Sequence, residues 1–413
     1  MEITLPPGSV AGALTPPCSK SYAQRALAAS LLCGGESFLH NVGFCDDTRA
    51  ALGCIEALGA EVEAPDGESL RIRGGLNPRS GVLRVGESGL ATRLFTPLAA
   101  LCDRPIVIEG RGSLLRRPMA MMIEPLRRLG AAVRDNDGCL PFEVTGPLRG
   151  GEVAVDGSVS SQFITGLLLS LPLAPEDTTL HVERPVSVPY LDMTVDTAAR
   201  FGVEICHNGF REFYIPGGQR YEPAEMRIEG DWSAAAMLLV AGATAGEVCV
   251  RGISALSKQA DTAVCTALVR AGAALIDEAG AVTAIRRPLT AFGFDATHCP
   301  DLFPALAALA ASAEGVSEIR GVSRLRHKES DRAEAIREEY GKLGIEVLLD
   351  DDTMRIRGGR IRGGRVSGRG DHRMAMSLAV AALRAEAPVT VEGAECVAKS
   401  YPGFFGDLEK IRV

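Results

Sequence analysis

Six clusters of polar residues each stand directly before an apolar run of helical length. They begin at Ser19, Glu87, Ser160, Asp231, Asp301 and Asp371. Their spacing of about 70 residues is typical of a repeated supersecondary unit. Because Ser and Asp are preferred at helix N-caps, the pattern predicts a helix start at each cluster.

A second marker repeats in phase with the first. Helical patterns end in a glycine, followed by a short strand-like segment, at Gly59, Gly130, Gly202, Gly272 and Gly344. Glycine is common just after a helix, where φ often turns positive. Two markers with one period predict six α/β units, each with two helices separated by strands. We expect two compact domains of three units, a turn-rich crossing at 216–223 and a first strand over 2–10.

The composition narrows the class of protein. The chain has 413 residues, is 46% hydrophobic and carries a net charge of -8, so it can form a large core and is a poor match for nucleic acid. Its 11 cysteines include no C-x-x-C pair, which favours reduced thiols over disulfides or zinc. With no signal-like start and no apolar segment of membrane-spanning length, we expect a cytoplasmic protein with no membrane partner.

The repeated helix starts indicate an anion site. A helix N-terminus offers unpaired N–H groups and a partial positive charge. Several of the six starts have Lys or Arg nearby, which predicts a cleft for a polyanionic small molecule. The chain contains no G-x-x-x-x-G-K-[ST] loop, so this anion is not expected to be a nucleoside triphosphate bound in the P-loop manner.

Three of these starts carry the residue types that bind anions. Lys20 lies between Ser19 and Ser21 with Arg25 behind, where the helix dipole disfavours cations unless an anion is bound. Solvated surface charge is the alternative interpretation. Ser160, Ser161 and Gln162 offer hydroxyl and amide donors at another start. At a third, Asp371 is the expected cap, Arg373 an anion ligand and His372 a capping or packing residue.

Arg116 and Arg117 precede Pro118, which is expected as a first helical residue. Guanidinium groups suit carboxylate or phosphate recognition.

The segment His327-Lys328-Glu329-Ser330-Asp331-Arg332 leaves two interpretations open. If it were helical throughout, Lys328 and Arg332 would share one face. Glu329 and Asp331 could simply neutralise them. Alternatively the two cations bind an anion, and Glu329 is a general acid–base.

These segments together resemble one family. Ser19-Lys20-Ser21 with Arg25, the segment from His327 to Arg332, Asp371-His372-Arg373-Met374-Ala375-Met376 and Lys399 are similar in order and spacing to the 5-enolpyruvylshikimate-3-phosphate synthases. The resemblance implies a two-domain inside-out α/β barrel, which belongs to the α/β (α+β) fold class. It has six βαβαββ pseudo-repeats, three per domain, and a cleft between the domains that closes on substrates. The expected domains are 1–14 plus 226–413, and 15–225.

The resemblance also implies a reaction. The family transfers the enolpyruvyl group of phosphoenolpyruvate to the 5-hydroxyl of shikimate 3-phosphate and releases phosphate, through addition and elimination. This step belongs to the shikimate pathway to chorismate and aromatic amino acids. The resemblance implies that the reaction needs no metal and no organic cofactor. We expect a monomer whose partners are the two small-molecule substrates.

Residue roles follow by the same resemblance. Asp301 would accept the 5-hydroxyl proton, Glu329 would protonate the methylene carbon, and Lys20 would contact both substrates. The expected shikimate 3-phosphate contacts are Lys20, Ser21, Arg25, Ser160, Ser161, Gln162, Ser187, Asp301, Arg324 and Lys328. The expected phosphoenolpyruvate contacts are Lys20, Gly89, Arg117, Gln162, Arg332, Arg373 and Lys399.

The chain departs from the family pattern at Cys18, Glu87, Leu90 and Arg324, which lie around the expected phosphoenolpyruvate pocket. These departures bear on affinity and on sensitivity to glyphosate.

Two alternative functions predict different residues. A transferase that uses UDP-N-acetylglucosamine would usually carry a cysteine in the loop 110–118, and this loop has none. A non-catalytic anion-binding relative would be expected to lose Asp301 or Glu329, and both are present.

Overall fold

The computed structural model describes residues 1–326 and 328–413, so His327 of the sequence motif lies outside the described residues. The chain divides into two compact units. The first, which we call the terminal unit, is Met1–Pro17 with Glu229–Val413, and the second, the central unit, is Cys18–Ile228.

Helices and strands alternate along the described chain. The α-helices are α1 Lys20–Leu32, α2 Asp46–Ala57, α3 Gly89–Ala99, α4 Ile123–Arg128, α5 Ser161–Ser170, α6 Val188–Arg200, α7 Trp232–Ala245, α8 Val264–Arg270, α9 Phe303–Ala311, α10 Arg332–Lys342, α11 His372–Ala382 and α12 Phe404–Lys410. The strands up to residue 227 are β1 Glu2–Leu5, β2 Val10–Leu14, β3 Glu36–His40, β4 Glu61–Glu63, β5 Leu70–Arg73, β6 Val82–Arg84, β7 Ile106–Glu109, β8 Ala132–Asn136, β9 Cys139–Thr145, β10 Gly151–Asp156, β11 Thr178–Glu183, β12 Cys206–Asn208, β13 Glu212–Ile215 and β14 Glu225–Arg227. The later strands are β15 Gly246–Arg251, β16 Ala274–Glu278, β17 Ala281–Ile285, β18 Gly293–Asp295, β19 Val316–Arg320, β20 Glu346–Asp350, β21 Thr353–Arg357, β22 Gly364–Ser367 and β23 Val389–Glu392.

The sheets repeat one pairing pattern. In the central unit the strand orders are β14-β3-β5-β4, β6-β7-β9-β8 and β10-β11-β13-β12. In each, the first pair is parallel and the other two are antiparallel. The elements β6-α3-β7-α4-β8-β9 follow the βαβαββ order expected from the sequence.

The terminal unit uses the same pattern. Its four-stranded sheets are β2-β15-β17-β16 and β18-β19-β21-β20, and β1-β23-β22 has three strands. The first strand expected over 2–10 is wrong in extent. The structure has two strands there, β1 paired with β23 and β2 paired with β15, because Pro6 and Pro7 interrupt the ladder between them.

The capped helices form the interior of each unit. In the terminal unit α7, α9 and α11 pack on one another, and in the central unit α3 packs against α1 and α5. All residues of α7, α9 and α11 are buried, as expected for helices that are apolar around their whole circumference. Charged side chains of a site in the terminal unit are therefore expected at the ends of these helices and in the turns and loops beside them.

Most of the predicted helix starts are correct. Ser19, Ser160, Asp231 and Asp371 are N-caps whose side chains accept backbone N–H bonds of the first turn. At the second cluster the cap is Ser88 rather than Glu87.

The helix start predicted at Asp301 is confirmed, although Asp301 lies in the 3-10 turn Pro300–Leu302 that leads directly into α9, and its carboxylate contacts cations instead of capping the helix. One prediction about a helix start is wrong. Pro118 begins no helix, because the chain is extended at Arg117 and α4 starts only at Ile123.

The predicted glycine stops are confirmed. Backbone φ is positive at Gly59, Gly130, Gly202, Gly272 and Gly344. At Gly59 a Cβ would lie 2.6 Å from the Asn77 carbonyl oxygen, so both the dihedral angle and the space require glycine there. Among the described residues, no helix is long and apolar enough to cross a membrane.

Candidate active site

A group of ion-paired side chains surrounds Asp301 in the terminal unit. Lys328 Nζ and Arg332 Nη1 lie 3.2 and 2.9 Å from Asp301 Oδ1, and Arg373 Nη2 lies 3.2 Å from Oδ2. The Asp301 side chain keeps 23% exposure. One partly exposed carboxylate therefore receives three cations.

Arg332 links this carboxylate to two others. Its Nη2 donates to Glu329 Oε2 at 2.8 Å, and its Nε donates to Asp371 Oδ2 at 2.9 Å. The Arg332 side chain is fully buried. Glu329 is also 3.8 Å from Lys399 Nζ. We call Asp301, Lys328, Glu329, Arg332, Asp371, Arg373 and Lys399 the Asp301 cluster.

The local chain geometry differs from the helical interpretation of this segment. Helix α10 begins only at Arg332, capped by Asp331, whose side chain accepts from Glu334 N. Lys328 and Glu329 therefore precede the helix, and they reach Asp301 and Arg332 from a non-helical segment. Both cations of the motif contact the Asp301 carboxylate, which offsets their mutual repulsion.

The charges hold Asp301 ionised. Burial alone would raise the pKa of its carboxyl group, but Arg373, Lys328 and Arg332 together hold that pKa well below its usual range. Burial also lowers the pKa of Lys328, which Asp301 partly offsets. Arg324, in the turn Val322–Arg324, has its pKa lowered by burial, with Asp301 and Asp352 acting in the opposite direction.

In the central unit, Lys20 is held by a carboxylate that sequence reasoning missed. Lys20 Nζ is 2.8 Å from Asp47 Oδ2, and the side chains are 13% and 8% exposed. Asp47 lies in the first turn of α2, where an acidic residue suits the helix dipole. Its sequence context indicates only a helix start, so the partner of Lys20 had no signal in the chain.

Arg25 is buried and already hydrogen-bonded within the protein. It is 1% exposed, and its guanidinium donates to Thr194 Oγ1, Thr165 Oγ1, Tyr190 O and Ser21 O. Burial lowers the pKa of Arg25 to about 10. Its donors already bind protein acceptors that tie α1 to α5 and α6.

A second group of polar side chains meets at the N-terminus of α3. A Cβ on Gly89 would lie 2.9 Å from Arg117 Nη1, 3.1 Å from Arg93 Nη1 and 3.6 Å from Gln162 Oε1. Arg93 also donates to Gln162 Oε1 at 2.9 Å. We call Gly89, Arg93, Arg117 and Gln162 the Gly89 cluster, and its close packing explains why residue 89 has no side chain.

Arg116 and Arg117 have different surroundings. Arg117 is 7% exposed and belongs to the Gly89 cluster, whereas Arg116 is exposed. Arg93 donates to Pro118 O at 3.4 Å, which ties the Arg117 segment to α3. Arg93 stood in the sequence beside the second helix start and received no role there.

The remaining predicted residues lie at helix starts of the central unit. Ser160 caps α5 through Gln162 N, and Ser161 is the first residue of that helix. Ser187 precedes α6 in a left-handed conformation with φ 54° and is buried. Among the described residues, no group of three His, Cys, Asp or Glu side chains could hold a metal ion.

The chain matches a known family over nearly its whole length. The family model described as EPSP synthase (3-phosphoshikimate 1-carboxyvinyltransferase) matches residues 5–408. The chain belongs to this family. Two relatives of that name, from Methanocorpusculum labreanum and Thermococcus kodakarensis, are 37% and 40% identical and cover 100% and 99% of this chain and 98% and 99% of their own lengths.

Solved structures agree with the family assignment. An EPSP synthase from Acinetobacter baumannii superposes with a TM-score of 0.85 at 28% identity, covering 100% of this chain and 98% of its own. The enolpyruvyl transferase NikO from Streptomyces tendae shares the fold, with a TM-score of 0.79 at 19% identity and coverage of 99% and 96%. By its family, the chain is an enzyme of the shikimate pathway.

Proposed function

We propose that this chain transfers the enolpyruvyl group of phosphoenolpyruvate to the 5-hydroxyl of shikimate 3-phosphate and releases inorganic phosphate. The observation that carries the proposal is the pair of carboxylates, Asp301 and Glu329, held by the single buried guanidinium of Arg332. Two positioned carboxyl groups can divide the two proton transfers that the reaction needs. The family assignment supplies the substrates.

In the addition step, the 5-oxygen forms a bond to C2 of phosphoenolpyruvate. We assign the proton of that hydroxyl to Asp301, while Glu329 donates a proton to C3. In the elimination step, the bond between C2 and the phosphate oxygen breaks, Glu329 takes a proton back from C3, and Asp301 passes its proton to the departing phosphate. The atoms balance, since phosphate is the leaving group and the enolpyruvyl double bond is restored.

The charge around Asp301 bears on its role as base. A carboxylate with three cations is ionised and ready to accept a proton, but it is a weak base. The phosphate and carboxylate of phosphoenolpyruvate would compete for Arg332 and Arg373. Substrate binding would thereby raise the basicity of Asp301 at the point when a proton must move.

The proposed substrate contacts are those that the family resemblance implies. For phosphoenolpyruvate we propose Lys20, Gly89, Arg117, Gln162, Arg332, Arg373 and Lys399. For shikimate 3-phosphate we propose Lys20, Ser21, Arg25, Ser160, Ser161, Gln162, Ser187, Asp301, Arg324 and Lys328. Lys20 takes part in the chemistry through its charge. Direct contact by Arg25 requires that it exchange one of its present acceptors, for example the Ser21 carbonyl oxygen.

Phosphate release tests the function. Phosphoenolpyruvate and enzyme are mixed with shikimate 3-phosphate or with UDP-N-acetylglucosamine, and phosphate is measured over time. We expect release only with shikimate 3-phosphate. Release only with the UDP-sugar would replace the proposed acceptor, and release with neither would favour a non-catalytic anion-binding protein.

We further propose that the enzyme works as a cytoplasmic monomer. Light scattering of the purified chain at assay concentration would give its mass, and a dimer would contradict this.

A further inference from the structure

Asp261 is a buried carboxyl group that the mechanism above does not use. It lies in the turn Ala260–Ala263 of the terminal unit and is 1% exposed. Ser233 Oγ, in the first turn of α7, donates a hydrogen bond to Asp261 Oδ2. Asp261 Oδ1 has no hydrogen-bond partner among the described residues. An ionised carboxylate in such surroundings is costly unless a cation faces it.

Two of the charged groups that act on Asp261, Asp301 and Arg373, belong to the Asp301 cluster. Asp301 and Asp231 oppose the ionisation of Asp261, and Arg373 favours it. Cys299 is a further titratable neighbour, and burial and Asp261 both raise the pKa of its thiol. The cation that favours the ionisation of Asp261 is thus Arg373, whose Nη2 is already 3.2 Å from Asp301 Oδ2.

Two carboxyl groups thus share the influence of one guanidinium. Asp301 is paired with Lys328 and Arg332 as well as with Arg373, so of the two carboxyl groups Asp301 is the one that is ionised. Among the described residues, the Ser233 hydroxyl is the one hydrogen-bond partner of the Asp261 carboxyl group. Burial raises the pKa of Asp261 to about 7. Pairs of acids whose surroundings separate their protonation states are a recurring device in enzyme sites.

We propose that Asp261 is a positioning residue that carries its proton in the working enzyme and so leaves Arg373 to Asp301 and to the incoming anion. This extends the proposed function, because the anion is taken to be phosphoenolpyruvate. Ionisation of Asp261 would add a negative charge beside Asp301 and draw Arg373 away from the substrate. Anion binding should then weaken as pH rises through neutrality.

The first test is the pH dependence of KM for phosphoenolpyruvate. In Asp261→Asn the side chain stays neutral, and its amide oxygen can still accept from Ser233. We expect KM of the wild type to rise by up to tenfold per pH unit above about pH 7, with little change in kcat. The rise should be absent in Asp261→Asn. Comparing the two at each pH cancels the ionisation of the substrate itself.

A second variant tests the same point without changing the carboxyl group. The Ser233 hydrogen bond lowers the pKa of Asp261, so Ser233→Ala should move the rise in KM to higher pH. The matched control is Glu339→Gln. Glu339 is another buried carboxyl of the terminal unit, held by Lys342 and Arg369, and its replacement should leave the pH at which KM rises unchanged.

An infrared measurement keeps this proposal separate from the proposed function. The difference spectrum of wild type minus Asp261→Asn should contain the carbonyl band of a protonated carboxyl group at about pH 6 and lose it by about pH 9. Absence of the band at the lower pH would overturn the proposal even if the enzyme were fully active. Presence of the band in an inactive protein would leave Asp261 protonated and count against the proposed reaction alone. An unchanged KM profile in Asp261→Asn would overturn the positioning role.

Discussion

The Asp301 cluster and the Gly89 cluster both concentrate cationic side chains, but they treat those charges differently. In the Asp301 cluster, four cations are interleaved with the carboxylates of Asp301, Glu329 and Asp371. In the Gly89 cluster, two guanidinium groups lie beside an amide side chain and a glycine that begins a helix. The first cluster can give and take protons through its carboxylates, whereas the second joins two guanidinium groups to an amide.

This difference suggests a division of work. A carboxylate among cations loses part of its basicity until an anion replaces it, which couples substrate binding to proton transfer. Guanidinium donors at the start of a helix suit the binding of an anion, with help from the helix dipole. Changes to the proton-transferring carboxyl groups of the Asp301 cluster should therefore lower kcat, and changes in the Gly89 cluster should raise KM.

The largest effect is expected from Glu329→Gln. The amide keeps the size of the side chain but cannot donate a proton to carbon. We predict a loss of about 100-fold or more in kcat, the usual scale for a general acid–base, measured by phosphate release at saturating substrates. Glu338→Gln, on the exposed side of α10, is the control and should be unaffected. A Glu329→Gln enzyme within a few-fold of wild type would remove Glu329 from proton transfer.

Arg117→Ala should have a smaller effect, and this effect should be on KM and not on kcat. Loss of a charged hydrogen bond costs about 1.5–3 kcal/mol, which corresponds to about a 10- to 100-fold rise in KM for phosphoenolpyruvate. The neighbouring exposed residue provides the control, Arg116→Ala. If both variants raised KM equally, Arg117 would have no special place in the Gly89 cluster.

Asp47→Asn should have an intermediate-to-small effect. The substitution removes the charge that holds Lys20 Nζ at 2.8 Å, so Lys20 would sample more rotamers. We predict about a tenfold loss in kcat/KM, on the scale of one charge-assisted hydrogen bond. Asp46→Asn, one residue earlier and exposed, is the matched control. A loss in both variants would point to the start of α2 and not to Lys20.

The smallest effect is expected at the helix caps. Ser88 Oγ accepts from Ala91 N at 3.2 Å and is fully buried, so Ser88→Ala should lower the free energy of unfolding by about 1 kcal/mol. Asp331 accepts from Glu334 N at 3.4 Å and is exposed, so Asp331→Ala should cost less. Denaturant unfolding measures both, and a larger loss at Asp331 would reverse this ranking.

The repeat architecture was predictable because residues close together in the sequence determine where its helices begin and end. Helix caps at Ser19 and Asp371 and glycine stops such as Gly59 act within a few residues, so a single chain reveals them. The interruption between β1 and β2 was missed, although Pro6 and Pro7 could have indicated it. The sequence indicated the helix start beside Asp301 but not the 3-10 turn, since the cations that hold the carboxylate come from distant parts of the chain.

The sequence identified many residues of the site, but it did not identify which of them contact one another. Resemblance brought forward Arg332 and Asp371, but their hydrogen bond joins residues 39 positions apart. Asp47 and Asp261 carry no motif that would distinguish them from other acidic residues. Their importance depends on burial and on facing charges, which only the folded chain brings together.

The division of work between the clusters can be tested by the entry of solvent deuterium into the methylene group of phosphoenolpyruvate during turnover in D₂O. Mass spectrometry of the recovered substrate and product gives the rate. We predict that Arg117→Ala, once saturated, incorporates deuterium at nearly the wild-type rate, and that Glu329→Gln incorporates it about 100-fold more slowly. Equal incorporation by Glu329→Gln and wild type would contradict the assignment of proton transfer to the Asp301 cluster.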